Sequence, residues 1–467
     1  MVRELMEPDP RPVIAFAGGG ASAALAAVAL LRATTWLRLP YRIVLVDEHG
    51  RHARGAAYST TDDAHLLNAP VKTMSALPDQ PGHLAGWLRR NGHPAGPETF
   101  PTRRVYGDYL ARTLDETARW AHPYASLETR TARVESARPT AEAVELRLSG
   151  GGRLDAAALV VATGNSTEGS VLGRAAPPGT VTDPWHPREG VAALAGCERV
   201  LAVGTGLTMV DSALTLTGAN PRAVVHAASR TGLLPHAHRP PLATPPGLVD
   251  LASGQNGPLP LRGLVRRLRA AVDAYPGDWR HVVDSLRPHT QTLWQGLSPD
   301  EQRCFLERLS RRWENARHRM APETATRVTL LRATGRLRTH GGGVRGVVPA
   351  GSALRATLGD GSVVEVDAVL DCTGSAPGRA PLVARLLADG LARPDHLGLG
   401  VHTCPRGALV TPSGRVSRRL FALGPPRRGQ LYETTAIPEI RDQAEQLAQR
   451  IADTVLRDRR DAPTAVV

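Results

Sequence analysis

The sequence predicts an α/β protein of two parallel-sheet domains, the second inserted within the first and carrying a helical insertion of its own. Three observations carry this expectation. A strand opens into a glycine loop and a helix near the start of the chain, the same succession recurs near residue 200, and two apolar strands ending in Thr-Gly turns bracket the second loop.

The first unit begins with the strand "VIAFA", Val13 to Ala17, which runs into "GGGASA" and a helical stretch. Read as G-x-G-x-x-A, this puts Gly18 at the turn, Gly20 where backbone must approach a pyrophosphate, and Ala23 where helix packs on strand. A second strand, "RIVLVDEHG", ends in Asp47 and Glu48, at the distance where a carboxylate accepts hydrogen bonds from an adenosine ribose. Strand, loop, helix, strand and terminal acid in this order predict a Rossmann-like site for a dinucleotide whose ribose is unphosphorylated.

The second unit is "RVLAVGTGLTMVDSALTL", with Gly204 and Gly206 between strand and helix. Its third small position is Met209, which departs from the pattern and puts close helix packing in doubt. The following strand ends in Ser229 and Arg230 rather than an acid. A hydroxyl and a guanidinium suit a 2′-phosphate, so NADP is the expected dinucleotide here, with Arg230 as a plain surface charge the alternative.

"LDAAALVVATGN" and "EVDAVLDCTGS" end in turns at Thr163-Gly164 and Thr373-Gly374, and both are expected as returns to the first domain. The resulting boundaries are 10–185 for the first part of that domain, 196–345 for the inserted domain, and 346–467 for the return and the C-terminal helix. Between Leu261 and Ala321 the chain is rich in Arg, Leu and Trp at helical spacing, which predicts a helical insertion at about 258–322. His318 there is expected as a partly buried helix histidine. His236 and His238 belong to no ligand-spaced set, so no metal is expected.

Composition bounds the rest. The chain has 467 residues and 42% apolar content, enough for two or three domains. The net charge of +13 comes almost wholly from arginine, since Lys72 is the only lysine. Much of that excess reads as a codon effect, and the arginines are interleaved with acids rather than gathered into a block or an aromatic platform. The charge therefore predicts a solvated surface that favours anionic small ligands, with neither nucleic acid nor membrane as partner. The N-terminus runs from a polar leader into a strand, and the longest apolar run, Ala21 to Leu31, is too short to span a bilayer, so a cytoplasmic protein is expected. Cys197, Cys304, Cys372 and Cys404 form no CxxC pair, which argues against a dithiol redox centre or a structural zinc.

With "RGAAYST", "HLLNAPVKTMSALPDQPGHLAGWL", "RRVYGDYL", "VTDPWHP", "SRTGLLPHAHRP" and "GPPRRGQLYETTAIPEIRDQA" added to the motifs above, the chain resembles the bacterial FAD/NAD(P)-binding proteins that include FAD-dependent, amino-acid N-hydroxylating monooxygenases. The resemblance runs from the first strand to the last helix. It implies an FAD domain interrupted by an NADP domain, with FAD and NADPH as cofactors, and places Gly18, Gly20, Asp47, Asn68, the closing "FALG" with Gly424, and Thr434 and Thr435 at the FAD site. Met74 and Ser75 match the family pattern, and Gly164 and Gly374 mark the crossovers. A helix starting near Ala436, with Pro438 tolerated in its first turn, would aim free N–H groups at the flavin.

The resemblance further implies an oxygen atom passed from a C4a-(hydro)peroxyflavin to a small-molecule substrate, as in N-hydroxylation of an amine or amino acid in secondary metabolism. Ring hydroxylation, flavin oxidoreduction without oxygen insertion, and a non-catalytic nucleotide sensor stay open as alternatives, and so does homo-oligomerisation. Asn68 and Lys72 are the candidate catalytic residues. Lys72 is expected to hold either the substrate carboxylate or the nicotinamide cofactor, because an ammonium fits against an anion where a planar guanidinium does not. An ordinary surface lysine is the competing reading.

Overall fold

The computed structural model describes residues 9–165, 177, 179–186, 189–239, 259–374 and 380–460; the expected start of the helical insertion at 258 lies outside them. The first sheet has the strand order β16-β17-β7-β1-β2-β3. Its strands are β1 (Val13–Ala17), β2 (Tyr41–Asp47), β3 (Ala125–Thr131), β7 (Ala158–Val161), β16 (Ala408–Val410) and β17 (Val416–Ala422). All neighbours pair in parallel except β16, which closes one edge antiparallel to β17. Every residue of β1 and β7 is buried, as strands covered on both faces require, and this is why they read as unbroken apolar runs.

Helix α1 (Ala21–Trp36) covers one face. Its alanines let it lie close between the sheet and α13 (Ile437–Arg460), whose Ile440, Ala444, Leu447 and Ile451 share its core. Around this face stand α2 (Gly55–Tyr58), α3 (His83–Arg90) and α4 (Arg103–Ala121), the last capped by Thr102, whose side chain accepts from Val105 N. The other face packs on a three-stranded antiparallel sheet, β4 (Val134–Pro139), β5 (Val144–Leu148) and β6 (Arg153–Ala156), and on α12 (Pro381–Ala388).

The second sheet has the order β11-β10-β9-β15-β8, parallel throughout. It comprises β8 (Thr180–Val181), β9 (Arg199–Val203), β10 (Val224–Ala228), β11 (Leu337–His340) and β15 (Ala368–Asp371), with α5 (Leu207–Ala219) and α11 (Pro322–Ala333) against one face. The antiparallel strands β12 (Val344–Ala350), β13 (Ala353–Leu358) and β14 (Val363–Val366) cover the other. Five helices, α6 (Leu261–Ala274), α7 (Trp279–Ser285), α8 (Thr290–Gly296), α9 (Pro299–Arg308) and α10 (Ser310–Arg317), fill the region where the helical insertion is expected.

The two halves follow one plan: strand, glycine loop, helix, strand, a later parallel strand, an antiparallel three-stranded layer, and a final strand beside the first. All of the second sheet lies between β7 and β16 in the chain, so an α/β fold with one Rossmann-like unit inserted in another is what forms. One expectation needs correction. "EVDAVLDCTGS" is not a return to the first domain, because Ala368–Asp371 pairs with β9 in the second sheet. The antiparallel strands before it pack on the second sheet too, so chain from Val344 to Asp371 stays with the inserted unit. Among the described residues, the chain next joins the first domain's core at Ala380. An apolar strand ending in a small-residue turn looks the same whichever sheet it joins, and its partner strand is not a local property.

Candidate active site

The first glycine loop sits at the carboxyl ends of β1 and β7, the place where open parallel sheets bind ligands. Gly18 has φ +100°, donates from its amide to Val46 O at 2.8 Å, and presses on the end of β7 so closely that a Cβ would collide with Ala162 O. Gly19 N donates to Asp47 Oδ2 at 3.1 Å. Asp47 Oδ1 accepts from His49 N and Arg51 N, so this carboxylate ties the loop to the turn after β2. Gly20 is the N-cap of α1 and brings no capping side chain, and Ala23 is wholly buried in the helix interface, as its position in the motif requires.

Residues 51–55 form a second wall that the motif alone does not reveal. Ala53, at φ +64°, donates to Gly19 O at 2.7 Å, and a Cβ on Gly20 would lie 3.1 Å from Gly55 Cα. His52 lies against Gly19, and burial pushes its imidazole below the ordinary value despite the nearby Asp47 carboxylate. His52 Nδ1 and Arg51 Nη2 are buried without a hydrogen-bond partner. Only "RGAAYST" pointed to this neighbourhood, and Arg51 and His52 precede it.

The closing segment meets this loop from the other side. Gly424, at φ +71°, has room for a Cβ only 3.0 Å from Ser22 Oγ in α1, and its amide donates to Gln443 Oε1. Thr434 is fully buried with Oγ1 unpartnered, Thr435 is exposed, and Ile440 N reaches back to Ala436 O in the first turn of α13. Thr163 Oγ1, just past β7, is likewise buried and unpartnered, beside Gly164 at φ +68°. These two buried hydroxyls without partners, Thr163 Oγ1 past β7 and Thr434 Oγ1 before α13, fit a dinucleotide with polar groups along its length.

The Asn68–Ser75 stretch is braced from three elements. Asn68 O lies 3.0 Å from His238 Nε2, Tyr106 OH donates to Met74 O, and Arg441 of α13 donates to Ser75 O. Met74 and Ser75 are buried, and the Ser75 hydroxyl bonds Leu77 O and Gln80 O, so both hold the loop's shape. Lys72 lies in a short turn, Val71–Thr73, with Nζ 3.8 Å from Glu98 Oε1 and about a third of each side chain exposed at 34% and 33%.

The second loop repeats the first. Gly204 has φ +113°, its amide donates to Ala228 O at 2.7 Å, and a Cβ would collide with Cys372 O. Gly206 is the uncapped N-cap of α5. Met209 is completely buried in the core, so the larger residue is accommodated and the helix keeps its place. Ser229 Oγ lies 2.9 Å from Thr205 Oγ1 and accepts from Gly232 N, taking the tying role that Asp47 has in the first unit. Arg230 is exposed at the end of that strand, and Gly374 follows β15 at φ +102°.

Two polar seams join the units. Arg103 at the start of α4 pairs with Asp211 of α5 at 2.8 Å, both nearly buried, and the His65 ring reaches Asp211 O and Thr215 Oγ1 with Trp185 edge-on against it. Burial raises the Asp211 carboxyl while Arg103 lowers it, and burial wins. Helix α10 and the turn before α8 grip the closing segment: Arg287 forks onto Glu439, Arg317 approaches Glu433, and Glu314 accepts from Arg428 and Tyr432. Burial pushes Glu433 up; at Glu439 it acts the same way but the Arg287 hydrogen bonds outweigh it.

Residues 15–166 match the model of the FAD-NAD(P)-binding family. No curated protein matches the sequence. Among solved structures, the ornithine hydroxylase of Pseudomonas aeruginosa in its reduced form superposes with a TM-score of 0.64 at 16% identity over 95% of this chain and 99% of that one. The ornithine N-hydroxylase of Kutzneria sp. 744, described with reduced FAD, NADP+ and L-ornithine, gives 0.61 at 16% identity over 96% and 100%. The L-lysine 6-monooxygenase of Pseudomonas syringae gives 0.57 at 16% identity over 95% and 100%. The chain thus shares the two-domain fold of these hydroxylases and monooxygenases over nearly its whole length. No helix among the described residues is long and apolar enough to cross a membrane.

Proposed function

We propose that the chain is an FAD-dependent, NADPH-using monooxygenase acting on a small molecule, with an amine or amino acid as the substrate class and N-hydroxylation as the reaction. The observation that carries this reading is the pair of glycine loops with matching geometry in one chain, each pressed against the end of the strand beside its own sheet's first strand, β7 for the first loop and β15 for the second. When bound, FAD supplies the redox chemistry, taking electrons from NADPH and passing one oxygen atom of O2 to the substrate.

The chain's own residues bind and orient. The Gly20 amide and the uncapped start of α1 would receive the FAD pyrophosphate, with Asp47 beside the ribose. Thr434 Oγ1 and Thr163 Oγ1 take up hydrogen bonds from the cofactor, and the first-turn amides of α13 stabilise negative charge on the reduced ring. At the second loop Ser229 and Arg230 favour NADPH over NADH. Asn68 and Lys72 lie on the braced loop beside the flavin site; for Lys72 to hold a carboxylate or phosphate, that anion must compete with Glu98, whose Oε1 is 3.8 Å from Nζ.

The test is incubation of FAD-loaded protein with NADPH, oxygen and a panel of amino acids, diamines and aromatic compounds, followed by mass spectrometry. A product heavier by one oxygen atom supports the proposal, and its fragmentation separates nitrogen from carbon attack. NADPH oxidation without a heavier product from any panel member assigns a plain flavin oxidoreductase instead, and a flavin that neither NADPH nor NADH bleaches removes both enzyme readings. An amine must be neutral to accept oxygen, so activity rises with pH toward the substrate's own pKa.

A further inference from the structure

Helix α10 belongs to the helical insertion, yet it reaches the second glycine loop. Arg311 Nη2 donates to Thr205 Oγ1 at 3.1 Å. Among the described residues, the nearest atoms a Cβ built on Gly206 would meet are Arg311 Nη1 at 3.6 Å and Nη2 at 3.8 Å. Gly206 has φ −81° and ψ −171°, a conformation open to any residue, so backbone geometry does not demand glycine there. The space in front of its backbone is instead kept clear on the side where a guanidinium stands. The carboxylate nearest that guanidinium, Glu314, is 3.8 Å from Nη1 and is already shared by Arg428 and Tyr432. Arg311 is 30% exposed and thus reachable from solvent.

We propose that Arg311 is a pyrophosphate-binding residue of the second dinucleotide site, delivered to the glycine loop by the helical insertion instead of by the sheet. This rests on reading the second loop as the nicotinamide dinucleotide site. A guanidinium offers a planar fork of donors that matches two phosphate oxygens, and the loop's amides supply the remaining hydrogen bonds. Arg311 keeps Thr205 Oγ1 as a second acceptor, which fixes the plane of the fork. Because the pyrophosphate is common to NADP and NAD, Arg311 contributes to both alike. Arg230, at the end of β10 where a 2′-phosphate would stand, contributes to NADP alone.

Calorimetric titration of the FAD-loaded full-length chain with NADP+ and with NAD+ separates these roles. Arg311→Ala is expected to weaken both dinucleotides by the same factor, at least tenfold, with FAD content and melting temperature unchanged. Arg311→Lys keeps the charge, loses the fork and recovers part of the loss. Arg230→Ala weakens NADP+ and leaves NAD+ as it was. Wild-type affinity for both dinucleotides in Arg311→Ala, or a loss confined to NADP+, overturns the proposal while the dinucleotide site stands. A wild-type protein that binds neither dinucleotide removes the reading of the second loop, and the proposal with it.

Discussion

Thr434, proposed above as a residue of the FAD site, has its Oγ1 fully buried among the described residues without a partner, three residues before Ile437 begins α13. A buried hydroxyl left unpaired costs roughly 1–3 kcal/mol, a cost that a bound cofactor removes. Thr434→Val, which keeps the shape, is therefore expected to leave the melting temperature of FAD-free protein unchanged or higher, and to weaken FAD retention about tenfold, read by flavin fluorescence on dilution. Equal FAD retention in the variant would detach Thr434 from the site. At this scale the sequence was readable where a residue acts through backbone geometry or charge at a fixed motif position, as Gly18, Asp47 and Gly204 do. It was unreadable for His52 and Arg311, whose places depend on the fold of a turn and on a helix over a hundred residues from the loop it serves.

The two glycine loops are the elements on which the proposed function rests, and their shared construction gives a paired prediction. Both first glycines combine a positive φ with a blocked Cβ, so alanine at either position is strained by conformation and by collision together. Gly18→Ala is expected to lower FAD content at least tenfold. Gly204→Ala is expected to keep FAD bound but to slow flavin bleaching by NADPH at least tenfold, through weaker dinucleotide binding in stopped-flow titration. Loss of FAD from Gly204→Ala would place the flavin at the wrong loop. Both loops were legible as strand, glycines and helix in order. Met209 was the misleading letter, because the core beneath α5 has a space that the motif does not encode.

For the whole molecule, stability depends on the seams between units and on pH. Arg103→Ala leaves Asp211 buried without its cation, a change that costs about 3–5 kcal/mol in comparable pairs. Thermal unfolding should show that loss, and Arg103→Gln with Asp211→Asn should lose less than the two single changes added together. His226, His238 and His318 are each pushed down to about 4, chiefly by burial, with neighbouring arginines adding to it. Below about 6.5 the unfolded chain binds protons that the folded chain refuses, so stability is full above that value and falls as pH drops toward 4. Melting temperatures at pH 7.5 and pH 5 check the sign. The insertion of one unit in the other was legible from the order of four motifs, whereas the place of return was not, because β15 carries no mark of the sheet it joins.

Gly18 touches Ala162 O and Gly204 touches Cys372 O, and each of these carbonyls stands at the point where the chain leaves its own sheet for the other unit. Two turns, Thr163-Gly164 and Thr373-Gly374, follow directly. The chain therefore leaves each sheet for the other unit directly beyond the carbonyl against which that sheet's glycine loop is packed.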